Sequence, residues 1–203
     1  MKLWQFLKRK KRKRGQVRKT RKPVGGIPER VSIHERPPNI SQRGSPGHFE
    51  ADLFFNHGSQ SENVLNIVER KSRYLFIMKN RTKTTEEVMS KVATVIVPYA
   101  QTITFDNGKE FTNHSILKKK HKIDTYFCDP GAPYQKGSVE NSNGMLRYYF
   151  PFKVPAHTIK QSDLDQIASI VNHIPRKILN YETPCEVFSK DFKVKLCSVA
   201  LHV

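Results

Sequence analysis

The sequence predicts an α/β domain with a five-stranded mixed sheet flanked by helices. Three observations carry that expectation. Three short apolar segments separated by polar turns open the domain. Two more short apolar segments follow, each after a stretch with helical periodicity. The resulting order, strand-strand-strand-helix-strand-helix-strand-helix, is a meander continued by α/β crossovers, an arrangement that packs helices on a largely covered sheet.

His48–Phe55 (HFEADLFF) alternates in part and forms the first predicted strand, ending in a turn over 56–62. Val64–Glu69 is the second strand, Arg70–Arg73 a tight polar turn, and Tyr74–Lys79 the third strand. Thr84 or Thr85, followed by Glu86 and Glu87, marks a helix start, because a hydroxyl can cap the free N–H groups and acids complement the helix dipole. Val88, Val92, Val95 and Ile96 then share a face, and Pro98 stops the helix. Gln101–Phe105 is a fourth strand, running into Asp106-Asn107-Gly108. A lysine-rich helix over Ser115–Lys120, a strand over Ile123–Cys128, and a Pro/Gly-rich loop over 129–137 come next. A helix is expected from Ser138 to about Tyr149, with two more over Asp163–Asn172 and Pro184–Ser189.

Ahead of this pattern, residues 1–46 form a basic and largely irregular arm, punctuated by Gly25, Gly26, Pro28, Pro37, Pro38, Gly44 and Pro46. The domain proper spans 47–190, and 191–203 form a C-terminal tail. The chain of 203 residues has a formal charge of +18. Much of that charge lies in residues 2–22, which contain no acid and include the unbroken run Lys8, Arg9, Lys10, Lys11, Arg12, Lys13 and Arg14. Such a charge favours a polyanionic partner, because bound cations release counterions from phosphates, and the run is assigned to DNA contact. Cys128, Cys185 and Cys197 are odd in number and lack short metal-ligand spacing. They fit a reducing cytosol and argue against a disulfide scaffold or a zinc module. No apolar run approaches the roughly 18 residues of a membrane span, so no membrane partner is expected.

Acids are scarce, which makes their placement informative. Asp52 lies in the first strand, where an acid is unusual and best tolerated at a sheet edge. Glu50 precedes it by two residues, on the same face, and competes with it as a candidate ligand. Asp106 ends the fourth strand before a sharp Asn-Gly turn. Glu140 sits in the first turn of a predicted helix, where acids commonly serve only the dipole. If the first and fourth strands are neighbours, the three carboxylates can converge. They would then need cations, and hard oxygen ligands select Mg²⁺ or Mn²⁺. Two such ions about 4 Å apart suit an in-line phosphoryl displacement.

These residues also carry a resemblance. The stretches Gly47-His-Phe-Glu-Ala-Asp52-Leu, Ile103-Thr-Phe-Asp106-Asn-Gly-Lys-Glu-Phe111 and Tyr134-Gln-Lys-Gly-Ser-Val-Glu140-Asn-Ser-Asn-Gly-Met-Leu-Arg147 resemble the transposases of bacterial insertion sequences. More narrowly, they resemble the insertion sequence thirty family. The segment Pro175–Phe188 is similar to the family's C-terminal end, and 33 residues lie between Asp106 and Glu140, as in its acidic triad. The resemblance covers roughly residues 27–190 and implies a ribonuclease-H-like fold, that of the retroviral integrase catalytic core. It implies that Asp52, rather than Glu50, is the first catalytic acid, and that Asp52, Asp106 and Glu140 hold two Mg²⁺ or Mn²⁺ ions. The implied reaction is metal-dependent DNA cleavage and strand transfer, the chemistry of DNA transposition and integration.

Arg147 lies seven residues after Glu140, about two helical turns, so both face the same way. The resemblance implies that it touches a DNA phosphate, and Lys136 is likewise assigned to DNA. Asn107, Gly108, Asn141, Asn143 and His114 match motif positions as supporting residues. Implied partners are DNA, both element ends and target, and further copies of the chain assembled on it, in the bacterial cytoplasm at the nucleoid. Phe49 and Ala51 depart from the family's common Trp and Gly without removing a ligand. Family members carry N-terminal helix-turn-helix regions, so a chain starting in the basic linker is expected to be N-terminally truncated. Two other functions compete with catalysis: a non-catalytic DNA-binding fragment that regulates transposition, and a basic RNA- or ribosome-associated protein. The latter lacks recognisable RNA-binding aromatic platforms.

Overall fold

The computed structural model describes residues 26–54, 62–151 and 154–197. The cationic run Lys8–Arg14 and the end of the tail therefore lie outside the described residues. Five strands form one sheet: β1 (His48–Phe54), β2 (Asn63–Glu69), β3 (Leu75–Asn80), β4 (Thr102–Phe105) and β5 (Asp124–Phe127). Among the described residues the α-helices are α1 (Pro38–Ser41), α2 (Thr85–Ile96), α3 (Ser115–His121), α4 (Gly137–Tyr149), α5 (Gln161–Asn172) and α6 (Pro184–Phe192). Strand order across the sheet is β3-β2-β1-β4-β5. β1, β2 and β3 pair antiparallel, while β4 pairs parallel to β1 and β5 parallel to β4. This is the mixed five-stranded sheet that the element order predicts. β1 is its central strand, however, so Asp52 does not owe its tolerance to an edge.

Alternation along the strands divides the core into two layers. Phe49, Ala51, Leu53, Leu65, Ile67, Ile103 and Phe105 point to one face, which α2, α3 and α6 cover through Val88, Val92, Ile96, Leu117 and Phe188. Phe54, Val64, Val68, Leu75 and Ile77 point to the other, under Val139 and Leu146 of α4 and Leu164 and Val171 of α5. With both faces covered, β2 is buried along its whole length, Asn63, Asn66 and Glu69 included with Val64, Leu65, Ile67 and Val68. Local signals set the ends. Thr84 caps α2 by accepting from Glu87 N, and Thr183 does the same for α6 with Glu186 N. Arg73 takes a left-handed conformation (φ 64) to close the β2–β3 turn. Gly47 opens β1 at φ +94, where an added Cβ would stand 3.2 Å from the Tyr99 carbonyl oxygen.

Residues 26–46 lie against the domain. Ile27, Ile33 and Ile40 are buried, and Ser32 forms a parallel bridge with Phe127. Cys185 and Cys197 form a disulfide with a Cα–Cα distance of 5.8 Å, contrary to the expectation from their number and spacing. The cause is tertiary: the chain after α6 folds back on that helix and brings Cys197 to its start. Among the described residues no helix is long and apolar enough to cross a membrane.

Candidate active site

Two acids of the sequence motifs, Asp52 and Asp106, sit at one end of the sheet, and the backbone explains how. The β1–β4 ladder pairs Glu50 with Thr104, so continuing the register sets Asp52 level with Asp106. Both follow the last ladder pair, at the carboxyl ends of two adjacent parallel strands, the rim at which open α/β sheets bind ligands. Asp106 is then held by a local turn in which Gly108 N donates to its Oδ1 at 2.9 Å. An added Cβ at Gly108 would lie 2.6 Å from the Glu110 carboxyl carbon, so a larger residue there would push that carboxylate aside.

Helix α4 runs alongside β1, and successive contacts match in order. Glu50 meets its start, Asp52 its middle and Phe54 its end. Glu50 is fully buried, and its Oε2 accepts from the Ser138 and Val139 amides at 2.9 and 3.1 Å. Its Oε1 accepts from Arg70 Nε at 2.9 Å. A carboxylate at free helix N–H groups satisfies them and complements the dipole. Glu50 therefore competes with Asp52 in sequence but not in space: it anchors α4. Next along, Asn143 Nδ2 donates to Asp52 Oδ2 at 2.7 Å. Asn66, paired with Asp52 across the β1–β2 ladder, donates to Asn143 Oδ1 at 2.7 Å and so fixes which way that amide points. Last, the Arg147 guanidinium lies 3.6 Å from the Phe54 ring centroid, a cation–π contact.

Lys136 precedes α4 and is 3% exposed. Its Nζ lies 3.1 Å from Asp52 Oδ1, 3.1 Å from the Ala51 carbonyl oxygen and 3.7 Å from Asp106 Oδ2. Burial works against its charge, but the two carboxylates prevail and hold its pKa above the ordinary lysine value. Burial raises the Asp52 pKa and Asp106 adds to that effect, while Lys136 and Asn143 oppose it. The two aspartates thus converge on one buried cation.

Glu140, one turn into α4, is half-buried. The oxygens of Asp52, Asp106 and Glu140 are not all within 4.8 Å of one another. Asn107 lies beside the site, donating to the Cys128 carbonyl at 2.6 Å and accepting from Arg30 Nε at 2.9 Å. Asn141 is exposed on α4. His114 is placed elsewhere: it is buried, with Nδ1 2.7 Å from Thr125 Oγ1 and Nε2 2.8 Å from the Pro28 carbonyl, tying the segment before β1 to β5. Sequence reasoning missed Asn66 and Glu110. Glu110 is 7% exposed, and burial, reinforced by Asp106 and Asp52, raises its carboxyl pKa against the opposing Lys83. An asparagine inside an otherwise apolar strand was the available signal for Asn66.

No protein-family model matches the chain. It is 39% identical over 187 residues to the transposase for insertion sequence element IS1086 of Cupriavidus metallidurans, covering 90% of this chain and 53% of that protein. It is 36% identical over 193 residues to the transposase InsI for IS30C of Escherichia coli K12, covering 92% and 50%. Among solved structures, the catalytic core domain of BIV integrase matches with a TM-score of 0.54 at 21% identity, covering 70% of this chain and 93% of that one. The HTLV-2 integrase catalytic core domain in complex with magnesium matches with a TM-score of 0.52 at 13% identity, covering 70% and 96%. The chain spans about half the length of the curated relatives it matches. Over about nine-tenths of its own length it is a homologue of the IS30-type insertion sequence transposases, and its fold is that of the ribonuclease-H-like integrase catalytic core.

Proposed function

We propose that the domain is the catalytic part of a transposase, carrying out metal-dependent cleavage and joining of DNA phosphodiesters. The observation that carries this is the levelling of Asp52 and Asp106 on adjacent parallel strands around one buried positive charge. Homology to transposases over most of the chain supports the same reading. Asp52, Asp106 and Glu140 are the proposed metal ligands. Their donor set fits Mg²⁺ or Mn²⁺: the two aspartates offer hard carboxylate oxygens that already turn toward a shared cation. Bound divalent ions would supply charge stabilisation at the attacking and leaving oxygens of a phosphodiester.

The chain's own residues position this machinery. Asn143, oriented by Asn66, holds Asp52. Glu50 and Arg70 fix the start of α4, and hence Glu140 and Asn143, against the sheet. Lys136 keeps the aspartates from repelling each other; bound divalent ions would take over that charge balance and would leave Lys136 available to a DNA phosphate. Arg147, braced on Phe54, and the cations of the N-terminal arm bind the DNA backbone, which orients it without reading its sequence. DNA is the proposed partner, with more than one copy of the chain assembled on it.

One observation favours a second reading. Lys136 already neutralises both aspartates, as a metal-free DNA-binding fragment would require. A nicking and strand-transfer assay with Mn²⁺ or Mg²⁺ on supercoiled plasmid and labelled oligonucleotides separates the two. Catalysis predicts product that requires the metal and disappears in Asp106→Asn with DNA binding retained. Binding without any metal-dependent product supports the second reading. Product that persists unchanged in Asp106→Asn rejects the triad.

A further inference from the structure

Away from the acidic rim, three other ligand-type side chains meet where α5 ends and α6 begins. A ring nitrogen of His173, Cys185 Sγ and Cys197 Sγ all lie within 4.8 Å of one another, the one such group among the described residues. Three separate pieces of chain supply them. His173 caps the C-terminus of α5, Cys185 sits in the first turn of α6, and Cys197 follows the left-handed Lys193 that ends α6. The two cysteines are 12 positions apart, too far for a short chelating motif to be seen in sequence.

The histidine is already prepared as a ligand. Its Nδ1 lies 2.7 Å from the Ser169 carbonyl oxygen, which can only accept, so Nδ1 carries the proton. Nε2 then holds the lone pair. It is buried and has no hydrogen-bond partner. A buried acceptor without a partner is destabilising, so it points to something it could bind. A backbone carbonyl that fixes one imidazole nitrogen while the other coordinates is the usual arrangement of metal-bound histidine.

We infer that His173, Cys185 and Cys197 form a Zn²⁺ site when the two cysteines are reduced. Two thiolates and an imidazole are a borderline-soft donor set that suits Zn²⁺ and does not suit the Mg²⁺ or Mn²⁺ proposed at the acidic rim. The disulfide and metal states exclude each other, because both use the same two sulfurs. A thiol or phosphine reductant delivers two electrons to the S–S bond, and two protons complete the thiols. Zn²⁺ then displaces those two protons as the Zn–S bonds form. The fourth position of a tetrahedral ion is left to water. Glu186 is next to Cys185, but its carboxylate is engaged by Thr183 N and Oγ1 at 2.7 and 2.8 Å. Cys128, the remaining cysteine, is buried elsewhere, with its thiol pushed up to about 12 by burial. The disulfide staples the chain after α6 to the start of that helix, and the metal state would tie the end of α5 to both.

The test uses the full chain, reduced with a phosphine under anaerobic conditions, freed of reductant and titrated with Co²⁺. Thiolate-to-cobalt charge-transfer absorption is a signature that the oxygen ligands of the acidic rim cannot produce. The expected result is such a band saturating at one Co²⁺ per chain, bleached by Zn²⁺, absent in the oxidised chain and unchanged in Asp106→Asn. Cys197→Ser removes the band; this half-buried position serves as the test if the fully buried Cys185→Ser does not fold. His173→Gln weakens Co²⁺ binding by at least about tenfold. No charge-transfer band in the reduced chain overturns the inference. So does a band that survives Cys197→Ser, or an affinity unchanged in His173→Gln.

Discussion

Asn143 and Asp52, 91 residues apart in sequence, share a 2.7 Å hydrogen bond that joins α4 to the central strand. Asn66 donates to the same amide's oxygen, so the amide cannot flip without losing both bonds. The chain Asn66–Asn143–Asp52 gives the carboxylate a fixed direction. Asn143→Ala should therefore lower the maximal rate of DNA cleavage by about 10- to 100-fold, the usual scale for losing a group that orients a metal ligand. Stability should change by about 1 kcal/mol. A rate loss matched by a metal titration shifted to higher Mn²⁺ supports the orienting role. Unfolding of the variant at assay temperature would assign the bond to the fold instead.

Lys136 makes a different prediction, because its ammonium stands where both aspartates point. Lys136→Met removes the competing cation and leaves two carboxylates facing each other. Mn²⁺ affinity measured by calorimetry in the absence of DNA should rise by about tenfold, roughly 1.4 kcal/mol. Without metal the variant should melt lower than the parent chain, and added Mn²⁺ should recover more of the loss than it adds to the parent. Unchanged affinity would mean that Lys136 does not compete with the ion.

The Glu50–Arg70 pair is almost wholly buried, with side-chain exposures of 0% and 4%. Glu50→Gln keeps the shape but removes the charge that faces Arg70 and the start of α4. Breaking one side of such a pair typically costs about 3–5 kcal/mol. Urea unfolding should show that loss in the midpoint with little change in slope. Arg70→Met in the same background should return part of it, since the uncompensated charge is then gone.

Acid should destabilise the domain through two buried histidines. Burial depresses the pKa of His48, and the positive charges of Arg70 and Arg36 add to it. Burial also depresses His114, against the raising effects of the Pro28 carbonyl and Glu29. Each folded pKa lies below the unfolded value of about 6.5, so between the two the unfolded chain binds more protons. The stability they contribute is present above about pH 6.5 and is lost as pH falls through the folded values. Unfolding midpoints at pH 7.5 and 5.5 should differ accordingly. His114→Gln should reduce the difference if that site is responsible for part of it.

Much of this architecture was legible from local signals. β1 was expected over His48–Phe55 and spans His48–Phe54; α4 was expected from Ser138 and begins at Gly137. Thr84 and Pro98 bracket α2 because capping and helix-stopping depend on neighbours a few residues away. The same locality explains the misses. Glu50 and Asp52 lie on one face of one strand, and nothing nearby in sequence distinguishes a helix anchor from a candidate metal ligand. His114 sits inside a motif but turns toward Pro28 and Thr125. Cys185 and Cys197 meet only because the chain reverses after α6.

Sequence alone determined the elements, the acidic motifs and the excess of positive charge, since propensity, capping and periodicity are short-range and charge is simply counted. Tertiary structure decided that β1 is central, that Asp52 stands level with Asp106, and that Lys136 fills the space between them. Those outcomes depend on strand pairing and on where α4 lands, contacts between residues some 50 to 90 positions apart. The physical reason is that a carboxylate's role follows from what surrounds it after burial, and the surroundings exist only once the chain has folded.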